Sequence, residues 1–135
     1  MRQQDYLNDA VELLQHLIST PSISRNEKAA ADIMQQQMES YGLAPRREAN
    51  NLWVLSPDWD ANKPTLLLNA HIDTVKPAAS YTRDPFAPTL EDGCLYGLGS
   101  NDCGGGLTTL LQAFRWLTLR PQPYNLIYLA SAEEE

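Results

Sequence analysis

The segment Thr65-Leu66-Leu67-Leu68-Asn69-Ala70-His71-Ile72-Asp73-Thr74-Val75 carries the strongest indication of the fold. Its first five residues form a short, mostly apolar run after Pro64, which is typical of a strand rather than a helix. Because residues 66–68 are apolar at every position, we expect a strand that is covered on both faces, as in a parallel sheet. The run ends in His71 and Asp73, whose side chains lie on the same side of an extended chain.

Two helices are predicted before this strand. Apolar residues recur at three- and four-residue spacing from Tyr6 to Ile18, which predicts an amphipathic helix that stops before Pro21. Ser24 and Glu27 have the form of a capping box and predict the start of a second helix, with Gly42 just after its end. The apolar face of this second helix is Ala30, Ile33, Met34 and Met38.

Turn residues, prolines and apolar runs predict the remaining elements. Asp92-Gly93 predicts a hairpin turn within residues 90–96. The other predicted elements are a strand at Asn51–Leu55, a helix at Leu107–Leu117 and a buried strand at Leu126–Ala130. Together these patterns predict an α/β fold: a three-layer domain with a largely parallel central sheet flanked by helices. Ligands in such folds bind where strands reach their carboxyl ends.

Composition limits the classes of function. The chain has 135 residues, 43% of them hydrophobic, and a formal net charge of −7, which fits one globular domain. No run of about 18 apolar residues predicts a membrane span. The acidic balance without lysine or arginine clusters argues against nucleic acid as a partner. Two cysteines, Cys94 and Cys103, make no disulfide framework, and with no apolar signal region at the N-terminus we expect a cytoplasmic protein.

Three clusters of polar residues lie at the predicted strand ends. His71 with Asp73 is typical of a metal ligand whose ring is oriented by an acid, or of a histidine capped locally. The run Gly97–Gly106 precedes a helix as phosphate loops do, yet Asp102 stands where the dinucleotide fingerprint needs glycine. Glu133, Glu134 and Glu135 are either a solvated acidic end or carboxylates that gather a cation. Taken together, the clusters suit a two-metal hydrolase.

The order of these motifs resembles a known family, the dizinc aminoacylases and exopeptidases that include acetylornithine deacetylase and succinyl-diaminopimelate desuccinylase. The resemblance runs through Leu68–Val75, Asp84-Pro85-Phe86, Gly93–Gly97, Gly97–Gly106 and Ser131–Glu135. Leu98, Cys103 and Gly104 depart from the family's usual arginine, methionine and lysine, and none of the three is a ligand position. This variant is most similar to the acetylornithine deacetylase branch.

The resemblance implies a role for each residue of the site. It makes His71 and Glu135 terminal ligands of two separate zinc ions and Asp102 the ligand that bridges them. It makes Asp73 the residue that orients His71, and Glu134 the general base that takes a proton from the attacking water. A cis peptide bond is implied between Asp102 and Cys103. Cys103 itself is read as a packing residue rather than a further ligand.

The implied activity is hydrolysis of an N-acyl amino acid in arginine biosynthesis, with two zinc ions per complete site and Co²⁺ as a substitute. The implied partners are a small-molecule substrate and a second copy of the full-length protein. The family needs a further acidic ligand and a second site histidine, while the sequence has only His16 and His71. We therefore expect residues 1–135 to be the N-terminal portion of the catalytic domain, without the lid domain and inactive alone. A non-catalytic binding module is the alternative, and nucleotide binding is a weaker one.

Overall fold

The computed structural model describes all residues from Met1 to Glu135. In chain order its elements are α1 (Gln3–Ile18), α2 (Lys28–Ser40), β1 (Arg46–Glu48), β2 (Asn51–Leu55), β3 (Thr65–His71), β4 (Thr89–Glu91), β5 (Cys94–Tyr96), α3 (Gly105–Leu117) and β6 (Asn125–Ser131). A π-helical turn, Ser100–Gly104, leads directly into α3. None of the helices has the length and apolar character that a membrane crossing requires.

The main sheet has the strand order β1-β2-β6-β3. β3 runs parallel to β6, from Thr65 opposite Asn125 to His71 opposite Ser131. β2 is antiparallel to both β1 and β6. The α/β class is confirmed, but the expectation of a largely parallel sheet is wrong for these residues. The short turn between β1 and β2 forces that pair to be antiparallel, because parallel neighbours need a long crossover.

The helices pack against one face of this sheet. The buried side chains on that face alternate along the strands and include Leu52, Val54, Ala70, Leu126, Tyr128 and Ala130. The opposite face, which carries Trp53, Leu67 and Leu129, has no helix over it, so the second helical layer of the predicted three is not formed by these residues. The predicted burial of residues 66–68 on both faces is also wrong here. β3 is an edge strand, and Leu66 and Leu67 are 41% and 51% exposed.

The helix boundaries differ in detail from the sequence pattern. α1 begins at Gln3 rather than Tyr6 and ends before Pro21 as predicted. The predicted capping box is wrong, since α2 begins at Lys28 and has no side-chain cap. The hydroxyl of Ser24 instead donates a hydrogen bond to the carbonyl oxygen of Glu135, 3.3 Å away. The apolar face of α2 is as expected, with Ala30, Met34 and Met38 buried and Ile33 packed at its margin.

The hairpin formed by β4 and β5 is confirmed. Its turn residues Asp92 and Gly93 both have positive φ, +52° and +77°, the conformation of the tight turn that joins twisted strands. Both cysteines, Cys94 and Cys103, are free thiols. The short strand β1 had no signal in the sequence, since Arg46–Glu48 is charged throughout.

Replacing Phe114 with alanine is expected to lower the free energy of unfolding by about 3–5 kcal/mol. The ring is fully buried and lies 6.3 Å from the ring of Tyr128, between α3 and β6. Trp116, on the same helix but 47% exposed, provides the control. Its alanine variant should lose less than about 1 kcal/mol in the same urea titration. Equal losses for the two variants would contradict this assignment of the core.

Candidate metal centre

The predicted site residues meet at one edge of the main sheet. His71 is the last residue of β3, and Glu134 and Glu135 follow the end of β6. Because these two strands are parallel and adjacent, their carboxyl ends lie side by side. The π-helical turn before α3 brings Asp102 to the same edge, so all the site residues predicted from the sequence are close together.

The imidazole of His71 is oriented by the chain that follows it. Its Nδ1 lies 2.8 Å from the carbonyl oxygen of Asp73, and because a carbonyl only accepts, the ring proton is on Nδ1. Nε2 therefore faces the carboxylates: it lies 2.9 Å from Oδ1 of Asp102, 3.6 Å from Oε2 of Glu134 and 3.7 Å from Oε1 of Glu135. The contact with Asp102 is a hydrogen bond only when Nε2 also carries a proton, and loss of that proton leaves Nε2 able to bind a metal.

Asp73 reaches His71 mainly through its backbone. Its carboxylate Oδ1 is 3.5 Å from Nδ1 of His71, whereas the carbonyl makes the short contact. The buried carboxylate instead accepts the backbone N–H groups of Glu134, at 3.1 Å, and Glu135, at 2.8 Å. Burial alone would raise the pKa of Asp73, but these N–H donors outweigh it and lower the pKa below its usual range.

Asp102 projects from the glycine-rich turn, and its side chain is 69% exposed. The peptide bond between Asp102 and Cys103 is cis, as the family resemblance implied. The turn is tight, since a Cβ on Gly104 would lie 2.5 Å from the carbonyl oxygen of Gly99. The side chain of Cys103 packs against the hydrophobic core, which agrees with its reading as a packing residue.

The charges at this edge perturb each other. Burial of the His71 ring would lower its pKa, but hydrogen bonds to Asp102 and to the Asp73 carbonyl outweigh burial and raise the pKa above its ordinary value. Partial desolvation and the carboxylate of Asp102 raise the pKa of Glu135, with Glu134 adding to the effect and His71 opposing it. Three carboxylates around one imidazole leave an excess of negative charge, which favours a bound cation.

The donor set fits a divalent metal ion. Ligand atoms of His71, Asp102 and Glu135 all lie within 4.8 Å of one another. One imidazole nitrogen with carboxylate oxygens is a set that suits zinc. Asp73 is not among the residues whose ligand atoms converge, and each of its oxygens accepts a backbone hydrogen bond instead. His16, the other histidine, lies in the last turn of α1 as expected of an ordinary helix residue.

Glu27 lies near the site, and its contact there is not indicated by the sequence pattern. Its carboxylate is fully buried, and Oε1 accepts the backbone N–H of Glu133 at 2.9 Å. In the sequence, a glutamate three residues after Ser24 fits a capping box equally well. No local pattern distinguishes the two uses, because the partner of Glu27 lies 106 positions away along the chain.

Replacing Asp73 with asparagine is expected to lower the free energy of unfolding by about 1.5–3 kcal/mol. An asparagine has one acceptor oxygen, so one of the two N–H groups of Glu134 and Glu135 would be left facing an amide donor. Asp58 is exposed and makes no side-chain contact of this kind, and Asp58→Asn should change stability by less than about 0.5 kcal/mol. Chemical denaturation of both variants makes the comparison, and equal stabilities would contradict the role given to the Asp73 carboxylate.

Sequence comparison identifies a family for this arrangement. The model of peptidase family M20/M25/M40 matches residues 67–135, which include every residue of the candidate metal centre. The succinyl-diaminopimelate desuccinylase of a Caulobacter species is 32% identical over 133 residues, covering 94% of this chain and 33% of that protein. The enzyme of the same name from Xylella fastidiosa is 30% identical over 137 residues, covering 96% of this chain and 36% of that protein. The chain thus spans about one third of the length of these curated relatives.

Solved structures share the fold. An M20 family metallo-carboxypeptidase from Sulfolobus solfataricus superposes with a TM-score of 0.77 at 24% identity, covering 99% of this chain and 31% of that one. Human carnosine dipeptidase 1 superposes with a TM-score of 0.69 at 20% identity, covering 97% of this chain and 33% of that one. A dinuclear metal binding peptidase of the M20 family from Bacillus subtilis superposes with a TM-score of 0.67 at 15% identity. The match covers 96% of this chain and 36% of that one.

The family match covers just over half of the chain and contains His71, Asp102 and Glu135, the residues whose ligand atoms converge at the sheet edge. The solved M20 structures carry the same fold along almost the whole of residues 1–135. Sequence motifs, fold and site geometry agree, and the chain belongs to peptidase family M20/M25/M40.

Proposed function

We propose that these residues form the metal-binding and proton-transferring part of a hydrolase that cleaves the amide bond of an N-acyl amino acid. One observation carries the proposal: donor atoms of His71, Asp102 and Glu135 converge within 4.8 Å. The carboxylate of Glu134 lies beside them, 3.6 Å from Nε2 of His71. A metal site with a free carboxylate at its edge is the arrangement that metal-assisted hydrolysis requires.

His71, Asp102 and Glu135 would hold the metal, and the two oxygens of Asp102 allow it to be shared between two ions. Zinc is the metal that this mixed nitrogen and oxygen set favours, with cobalt as a substitute. When bound, such ions lower the pKa of water toward about 7 and polarise the substrate carbonyl. Asp73 holds the ring of His71 through its carbonyl and so fixes which nitrogen faces the metal.

Glu134 is suited to act as the general base. Its side chain is 58% exposed, while its backbone N–H is fixed by Asp73. The carboxylate is therefore free to accept a proton from the attacking water and then to donate it to the amine that leaves. Glu135, whose side chain is 19% exposed, is turned inward and takes the ligand role instead.

An open cleft of about 600 Å³ adjoins Asp102 and is large enough for an amino-acid derivative. Its walls are polar and aromatic and include Thr74, Tyr81, Arg83, Tyr96, Asn101 and Asp102. The guanidinium of Arg83 lies 3.8 Å from the ring centre of Tyr96 and pairs with Glu91 at 2.8 Å. This wall is therefore held in place, and we propose that it borders the substrate.

The substrate is an N-acyl amino acid. The motifs resemble the acetylornithine deacetylase branch, whereas the curated relatives are named succinyl-diaminopimelate desuccinylases. Hydrolysis of either compound consumes one water and releases a carboxylate and a primary amine. The reaction class is therefore common to both, and the choice between acetyl and succinyl substrates is made by experiment.

The test uses the native gene product that carries these residues, loaded with zinc. N-Acetylornithine and N-succinyl-diaminopimelate are supplied in parallel, and release of the primary amine is followed. We expect zinc-dependent hydrolysis of one of them, lost with a chelator and restored by zinc. Bound zinc with no hydrolysis of either compound would contradict the proposal and favour the alternative of a non-catalytic binding module.

A further inference from the structure

The loop between α1 and α2 is attached to the strand ends that carry the metal centre. The backbone N–H of Thr74 donates to the carbonyl of Ser22 at 2.9 Å, and the N–H of Ser24 donates to the carbonyl of Thr74 at 3.0 Å. These bonds make a short parallel bridge between Ile23 and Thr74, one residue beyond Asp73. The loop therefore extends the sheet at the edge where His71 and Glu135 lie.

Glu27 closes this loop with a buried carboxylate. Its side chain is 0% exposed, and Oε1 accepts two backbone N–H groups, from Arg25 and from Glu133, each at 2.9 Å. Oε2 has no hydrogen-bond partner, and no lysine, arginine or histidine pairs with the carboxylate. Burial of a carboxylate without a cation costs free energy. Stabilisation of the loop therefore does not by itself explain why a glutamate stands at position 27.

The hydrogen bond from the backbone of Glu133 suggests what the buried Glu27 carboxylate does: it holds the chain just before Glu134 and Glu135. Glu133 has a φ of +57°, in the left-handed region that residues other than glycine adopt only where neighbouring contacts hold them. Glu27 binds the N–H of this residue, and Asp73 binds the next two N–H groups, those of Glu134 and Glu135. Two buried carboxylates thus hold three consecutive backbone groups.

The turn at Glu133 decides where the next two side chains point. Glu134 and Glu135 place their carboxylates 3.6 Å and 3.7 Å from Nε2 of His71. A change in the backbone angle of Glu133 would displace both carboxylates together. Misplacement of a reacting group by about 1 Å is enough to cost on the order of 100-fold in rate.

We propose that Glu27 is a positioning residue: by holding the N–H of Glu133 it sets the turn that directs Glu134 and Glu135 into the metal centre. The inference rests on the proposed function for the roles of Glu134 and Glu135. Glu27 itself would contact neither substrate nor metal. Its effect is on the geometry of two residues that follow β6.

Three substitutions at position 27 separate positioning from folding. Glu27→Gln keeps an acceptor oxygen at the same length and should have kcat and zinc affinity within a few-fold of the native protein. Glu27→Asp keeps the charge, but its side chain is shorter by one methylene, so the carboxylate is drawn away from the N–H of Glu133. Glu27→Met has no carboxylate oxygen to accept that hydrogen bond. For both we expect kcat to fall about 10–100-fold with KM little changed, and one zinc ion to bind about 10–100-fold more weakly.

Gln112→Met is the matched control. Gln112 is similar in size, 5% exposed and hydrogen-bonded to Tyr41, and it lies in α3 away from the metal centre. This variant should lose thermal stability like Glu27→Met yet keep native kcat and native zinc affinity. Zinc affinity is measured by competition with a chromophoric chelator, which needs no turnover.

The outcomes are distinct. Native kcat and zinc affinity in Glu27→Asp would overturn the proposal, as would losses in Gln112→Met that match those of Glu27→Met. Failure of all three position-27 variants to fold would also overturn it, since Glu27 would then be structural. If the native protein binds zinc but hydrolyses no N-acyl amino acid, the proposed function fails, while the comparison of zinc affinities still tests the positioning role.

Discussion

Replacing Glu134 with glutamine is expected to lower kcat by about 100- to 10,000-fold, the usual contribution of a positioned general base. The amide cannot take a proton from the attacking water, whereas the backbone contact of residue 134 with Asp73 is independent of its side chain. Zinc content and stability should therefore remain native. Steady-state kinetics with the hydrolysed N-acyl amino acid measure the effect.

Glu133→Gln is the control for this variant. Glu133 is exposed and adjacent in sequence, and its backbone rather than its side chain contacts Glu27. It should keep kcat within a few-fold of the native value. A Glu134→Gln protein with native kcat would contradict the assignment of the general base, and comparable losses in both variants would point to a general effect of charge.

Replacing Asp102 with alanine is expected to weaken zinc binding by more than about 100-fold, because even residues that only support a metal ligand are worth about 10–100-fold. Asp102 is the ligand proposed to be shared, so both ions should be affected and hydrolysis lost with them. Its side chain is 69% exposed, and its close contacts are with His71 and Glu135 inside the site, so the fold should be retained.

Asp58→Ala provides the matched control, since Asp58 is an exposed aspartate remote from the site. Zinc bound per chain, measured by elemental mass spectrometry after dialysis, should be native in this variant. Circular dichroism spectra of both variants establish that they are folded. Retention of two tightly bound zinc ions by the Asp102→Ala protein would contradict the shared-ligand role.

Local chemistry explains which parts of the fold were predictable. The hairpin at Asp92 and Gly93 and the strand Asn51–Leu55 follow from turn residues and apolar runs, and both occur as predicted. The antiparallel placement of β2 against β6 depends on tertiary pairing. A pattern of apolar residues does not indicate which strands pair or in which direction. The exposure of Leu67 has the same origin, because the sequence indicates a buried strand but not which strands neighbour it.

The site shows the same division. His71, Asp102 and Glu135 were identified because the motifs put metal-ligating types at predicted strand ends, and the structure brings their donor atoms together. The detailed use of Asp73 was not predictable, since its carbonyl contacts His71 while its carboxylate holds Glu134 and Glu135. In the sequence Glu27 fits a helix cap, because a short pattern carries no information on a long-range hydrogen bond.

Anomalous diffraction at the zinc edge from crystals of the native protein shows directly whether His71, Asp102 and Glu135 hold metal ions. We expect a zinc peak about 2.0–2.2 Å from Nε2 of His71 and from a carboxylate oxygen of Asp102. A second peak should lie about 3.5–4 Å from the first, within bonding distance of Asp102 and Glu135. Zinc bound only at other residues, or no zinc at His71, Asp102 and Glu135 in zinc-saturated crystals, would contradict it.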